Sequence, residues 1–187
     1  MQANQEQVAA AIKEAKIETL QTGEQLKTAV SAIDAMVKQE KGDLKPAYAA
    51  FVAEIAKTKA AAEVTRQRVD KMAANSAKYF QAWQGTVDGI SNASLKKTAQ
   101  KRLDTVKMSF DKIFSSLSLA RDKFGPFLSD LNDVQQALAL DTTPGGVKSI
   151  KGVVRSAKSN VDYVLEAFNG ALKEMDKVEK ALSSQAS

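Results

Sequence analysis

Apolar residues recur every three or four positions along almost the whole of this 187-residue chain, and three short stretches interrupt them. The first run is Val8, Ile12, Ala15, Thr19, Thr22, Leu26, Ala29, Ile33 and Met36, stepping by four and three in alternation. That spacing places the side chains on one stripe of an α-helix, whereas a strand needs alternation by two. Glycine (9) and proline (3) are scarce, which leaves little material for loops. The pattern predicts an all-α chain with helices at about 3–41, 44–90, 93–140 and 147–184.

Local signals place the breaks. Gly42 suits the position just past a helix end, Asp43 suits an N-cap, and Pro46 falls in a first turn, where its missing N–H is harmless. The second stripe runs Tyr48, Phe51, Ile55, Thr58, Ala62, Thr65, Val69, Met72, Ser76, Phe80, Trp83, Val87 and Ile90. After Gly89, with Ser91 or Asn92 as cap, the third runs Leu95, Ala99, Leu103, Val106, Phe110, Ile113, Leu117, Ala120, Phe124, Phe127, Leu131, Val134 and Leu138. "DTTPGG" at 141–146 reads as a loop, and the fourth stripe extends from Val147 to Leu182. Gly125-Pro126 could break the third helix or kink it. The stripe keeps its phase from Phe124 through Phe127 to Leu131, so a kinked, continuous helix is expected.

Short connections make consecutive helices antiparallel neighbours, and seven-residue spacing implies left-handed supercoiling. The expected architecture is an elongated antiparallel four-helix coiled-coil bundle, one domain over 1–187, kinked at Gly125-Pro126. A three-plus-one arrangement and a homodimer sharing one core are the alternatives. The middle helices are each roughly nine residues longer than the outer two, so the 88–94 hairpin should project by roughly 13 Å.

Several chemistries are excluded. The chain has no Cys and no His, so thiol catalysis, disulfides, imidazole bases and His or Cys metal sites cannot occur. No Gly-rich phosphate loop is present. No catalytic residue, metal ligand or cofactor is expected, and the chain reads as non-enzymatic. Net charge is +5 and the isoelectric point about 9.3, too mild to suggest nucleic acid. No stretch approaches the roughly 18 apolar residues that cross a bilayer. The start, "MQANQEQVAAAI", has no basic region followed by an apolar one, so the chain is cytoplasmic or a signal has been removed.

Two basic clusters are candidate sites. At the expected hairpin tip, Lys96, Lys97, Lys101 and Arg102 fall within seven positions, with Trp83 on the neighbouring leg. Cations in a first turn oppose the helix dipole. They could meet phosphate headgroups or another polyanion. They could equally pair with Asp88, or with Glu174, Asp176 and Glu179, while Trp83 packs in the core. The second cluster is a stripe of Lys148, Lys151, Arg155 and Lys158, for which Asp130 and Asp133 are the expected ordinary partners. Thr19, Thr22, Thr58 and Thr65 lie on the seam, where hydroxyls bonded to their own helix would allow close packing.

"GDLKPAYAAF", "AWQGTVDGISNASLKK", "FGPFLSDLNDVQQAL" and "VKSIKGVVRSAKSNVDYVLEAF" resemble an uncharacterised bacterial family of helical, coiled-coil-like envelope proteins, which often carry a secretion or lipoprotein signal. The resemblance spans about residues 10–182 and implies an exported, periplasmic protein with no assigned activity. Two functions follow as expectations. One is a structural or adaptor bundle of the envelope, binding a protein partner. The other is a peripheral module that binds anionic membrane surfaces through the basic tip.

Overall fold

A computed structural model describes residues 2–39 and 42–183. Four helices account for nearly all of them: α1 (Gln2–Lys38), α2 (Lys45–Asp88), α3 (Ala93–Leu140) and α4 (Pro144–Ser183). No strand occurs among the described residues. Expected helix ends at 41 and 184 fall outside the described residues.

The helix starts show why the chain folds where it does. Asn92 caps α3: its side-chain oxygen accepts from the N–H groups of Ser94 and Leu95, both at 3.1 Å. These are donors that a helix start otherwise leaves unsatisfied. At α2, Leu44 rather than Asp43 holds the cap position, since its carbonyl accepts the first helical bond from Tyr48. Asp43 still accepts from the N–H of Lys45 at 3.0 Å. Gly42 has φ of 101°, a left-handed conformation that side chains disfavour.

α4 begins at Pro144, three residues before the expected start. Pro144 supplies the fixed φ of a first helical position, and Thr143 accepts from the N–H of Gly146 at 3.3 Å. "PGG" is therefore the first turn of a helix, not loop. α3 runs through Gly125 and Pro126 without interruption, and both face solvent.

The described chain forms a helical bundle whose packing divides into two compact units. Unit 1 joins α1 up to Thr19, α2 from Val64, α3 up to Leu117 and α4 from Asn169; unit 2 joins the remaining stretches. Within unit 1, Glu14 on α1 pairs with Arg68 and Lys71 on α2, and Gln84 on α2 bonds Gln100 on α3. Lys16 on α1 meets Asp176 and Glu179 on α4. Within unit 2, Gln25 bonds Glu54, Tyr48 donates to the carbonyl of Gln135, Asp130 accepts from Ser156, and Asp34 pairs with Lys158. Sequence numbers rise on one partner as they fall on the other, so neighbours are antiparallel in each unit.

The seam is the core. Every expected position on α1, from Val8 to Met36, is buried, as are those on α4 from Val147 to Leu182. Burying one Ile, Leu or Phe contributes about 1.5–3 kcal/mol. The expected stripe is off by one on α2: Tyr79, seven residues after Met72, is buried, and Phe80 only partly so. Phe80 instead meets Phe110 edge-on at 5.1 Å. Thr19 and Thr58 bond their own helix as expected, at 2.7 Å each. Thr65 donates across unit 1 to the carbonyl of Glu18, and Thr22 across unit 2 to that of Ala61, each at 3.2 Å. These hydroxyls thus tie facing backbones together.

Candidate functional site: the α2–α3 tip

Contacts within unit 1 fix how far its helices run. Asn75 on α2 donates to the carbonyl of Gln7 on α1 at 3.3 Å. Five residues of α1 extend past that contact, against thirteen of α2. At 1.5 Å per residue, α2 outruns the described α1 by roughly 12 Å. On the other side, Gly170 of α4 packs on Ser116 of α3, whose hydroxyl would lie 3.2 Å from an added Cβ. Beyond it α4 continues to Ser183, while α3 reaches back to Ala93. α3 therefore overhangs by roughly 15 Å.

The overhang explains one exposed side chain. Leu95 is in phase with the α3 seam, yet it is 63% exposed, while Leu103, two turns on, is fully buried. It lies past the last described residues of α1 and α4. Ile90 is half-buried beside the turn. An aromatic cluster braces the arm behind them: Tyr79 lies 5.4 Å from Trp83 and 5.7 Å from Phe80, and Phe110 joins Phe80 to Phe114. Trp83 is 6% exposed and belongs to this core, so it is not a contact residue of the tip surface. Burial pushes the Tyr79 phenol up to about 12, with the Arg102 guanidinium acting in the opposite sense.

The four tip cations have different surroundings. Lys96 turns its ammonium back to the carbonyl of Asp88, at 3.1 Å, the last residue of α2. Helix C-termini carry partial negative charge and unsatisfied carbonyls. A cation unfavourable at the start of α3 is thereby placed at the favourable end of α2. Lys97 and Lys101, four residues apart on the outward face of α3, are exposed and have no hydrogen-bond or ion-pair partner among the described residues. Arg102 is also exposed, on the flank nearest Tyr79. The acids that could have neutralised them are engaged elsewhere. Glu174 pairs with Lys177 at 2.6 Å, and Asp176 and Glu179 are both held by Lys16.

In unit 2 the other basic stripe is split. Lys158 is partly buried and pairs with Asp34 at 2.7 Å. Lys148, Lys151 and Arg155 are exposed and unpaired among the described residues. Asp130 does not meet the stripe; it accepts from Ser156 at 2.8 Å and Asn160 at 3.2 Å. The stripe has no exposed apolar side chain of its own.

Sequence reasoning found the tip but missed two of its features, the exposure of Leu95 and the capping by Lys96. The first was readable from the unequal helix lengths. The second depends on which way a flexible side chain turns, for which the residue pattern carries no signal.

No group of three or more metal-ligating side chains occurs among the described residues, and no helix is long and apolar enough to cross a membrane. No curated protein and no solved structure matches the chain. One family does, over residues 2–182, and on that match the chain belongs to the family described as a protein of unknown function (DUF2959).

Proposed function

We infer that this chain is a non-enzymatic structural or adaptor bundle of the bacterial cell envelope, and that the α2–α3 tip is the element that makes its outward contact. One observation carries the reading: in unit 1, α2 and α3 continue past the described residues of α1 and α4 and present Leu95, Lys97 and Lys101 exposed, their side chains unpaired among the described residues. An exposed apolar side chain among unneutralised cations favours an interface over plain solvent. Placement in the envelope, on the periplasmic side, rests on the resemblance to exported helical proteins. The lack of His and Cys supports a binding role over catalysis.

A photo-crosslinking residue at Ala93, in cells, tests this. Expected is a discrete adduct from Ala93 that is weak or missing from a probe at exposed Lys112 and that disappears in K97Q/K101Q/R102Q. Equal labelling from both positions, or labelling indifferent to the three substitutions, would remove the tip from the function.

A further inference from the structure

We propose that the tip docks end-on to an anionic lipid surface, with Leu95 entering the headgroup region and Lys97, Lys101 and Arg102 lying among the phosphates. This names the partner of the contact element inferred above and rests on that reading.

The tip pairs two chemistries. Leu95 is 63% exposed, and the stretch 89–103 around it carries four cations and no acid, Asp88 and Asp104 being the nearest carboxylates in sequence on either side. Lys96 is held back on Asp88, which leaves three cations for an external anion. A lipid headgroup layer offers phosphate and, immediately beneath it, apolar chain, in the same vertical order that the tip presents. Lys and Arg stems can lie along apolar surface while their charged ends stay with the phosphates.

Shape adds a second argument. The apex runs from Gly89 to Ser94, and all of it but the half-buried Ile90 is small and exposed. Such a hairpin end offers few side chains with which to clasp a peptide or a single soluble anion. It suits a flat surface that can yield around it. The aromatic cluster of Tyr79, Phe80, Trp83 and Phe110 holds the two legs together behind the apex, so ordering the tip on contact loses little conformational freedom. The stripe at Lys148, Lys151 and Arg155 has comparable charge but no exposed apolar side chain among its members. It is therefore the natural control.

The test is co-sedimentation of the full chain with vesicles of phosphatidylcholine alone and of phosphatidylcholine with phosphatidylglycerol in equal parts, at low and high salt. Binding is expected to the anionic vesicles and to weaken with salt. At about fivefold per basic residue near such a surface, K97Q/K101Q/R102Q should weaken binding on the order of a hundredfold. L95N, which leaves every charge in place, should weaken it about tenfold, from the lost apolar transfer. K148Q/K151Q/R155Q removes the same charge elsewhere and should leave binding within about twofold, apart from long-range attraction. Helical circular dichroism and melting temperature verify that each variant is folded. Equal binding to both vesicle types, equal loss from the two triple variants, or indifference to L95N would each overturn the proposal. So would no vesicle binding. If Ala93 then still crosslinks a protein in cells, the lipid assignment falls while the tip remains the contact element; if Ala93 crosslinks nothing, both readings fall.

Discussion

At the α3–α4 turn, Gly146 approaches Asp141 so closely that an added Cβ would sit 2.1 Å from that residue's carbonyl oxygen. At the α2–α3 turn the corresponding approach is ordinary: a Cβ on Gly89 would lie 3.5 Å from the carbonyl of Thr86. Both turns start a helix with a capping side chain, but only one is closed by steric fit. The α3–α4 turn buries Gly146 and Val147, whereas every residue from Ser91 to Leu95 is exposed. A connection can thus be shaped by what it packs against or left open to its surroundings. The α2–α3 turn is of the second kind.

The largest effect should therefore come from Gly146→Ala. The atom met is backbone, which cannot swing aside as a side chain can, so overpacking should destabilise the protein by about 2–3 kcal/mol. The urea midpoint should fall with an unchanged slope. Gly89→Ala should do the opposite. Nothing blocks its Cβ, its φ is not in the left-handed region, and alanine restricts the unfolded chain, so a gain of about 0.5 kcal/mol is expected. Equal and opposite changes are not required, but the same sign at both positions would dissolve the contrast.

Cap removal sharpens it next. Asn92 satisfies two N–H groups at 3.1 Å, while the hydroxyl of Thr143 accepts from one at 3.3 Å. Asn92→Ala should cost about 1 kcal/mol and Thr143→Ala less, read as shifts in thermal midpoint. The open turn thus depends more on its cap, because it has no tight packing to hold it.

How much of this was legible in the residues follows from the same physics. A seam repeated every seven residues is a long, redundant signal. It located nearly the whole core, from Val8 on α1 to Leu182 on α4. It failed where the alternation was broken: the expected stripe took two steps of four in succession, from Met72 to Ser76 to Phe80, whereas Tyr79, seven residues after Met72, keeps the repeat and takes the core slot. It failed again at Leu95, where the pattern continues past the described residues of α1 and α4. Periodicity says which face is apolar, not whether anything covers it. The cation cluster at the tip was plain in the sequence, but its division into one capping lysine and three outward cations required the geometry.

Acid sensitivity bears on the α3–α4 turn. Hydrogen bonds from the hydroxyl and the N–H of Thr143 hold the Asp141 carboxyl below its ordinary 3.8. A lowered value means that folding favours the ionised form. Its contribution is complete above 3.8 and is lost as pH falls through the folded value. Melting temperatures of the parent and of Asp141→Asn should therefore differ at neutral pH and converge in acid below that range. At the other turn the Asp88 carboxylate accepts from the amide of Gln84 at 3.0 Å, and its backbone carbonyl accepts from Lys96 at 3.1 Å.

The smallest effect bears most directly on the tip. A cation in the first turn of a helix is unfavourable by about 0.3–1 kcal/mol at low salt. Lys96 is the fourth residue of α3 and Lys97 the fifth, at the end of that turn, and only Lys96 has an offsetting contact, its bond to Asp88. Lys97→Gln should therefore stabilise the protein by about 0.3 kcal/mol, and the gain should shrink as salt screens the dipole. Lys96→Gln should change stability by less than about 0.5 kcal/mol, because the relief and the lost bond oppose each other. Thermal melts of both variants at low and high salt decide the matter. A stabilising Lys97→Gln that also weakens vesicle binding would show stability and contact drawing on the same side chain in opposite directions. A Lys97→Gln without effect on melting would mean that the outward lysine carries no strain, and the physical reason for expecting it to serve an external anion would be gone.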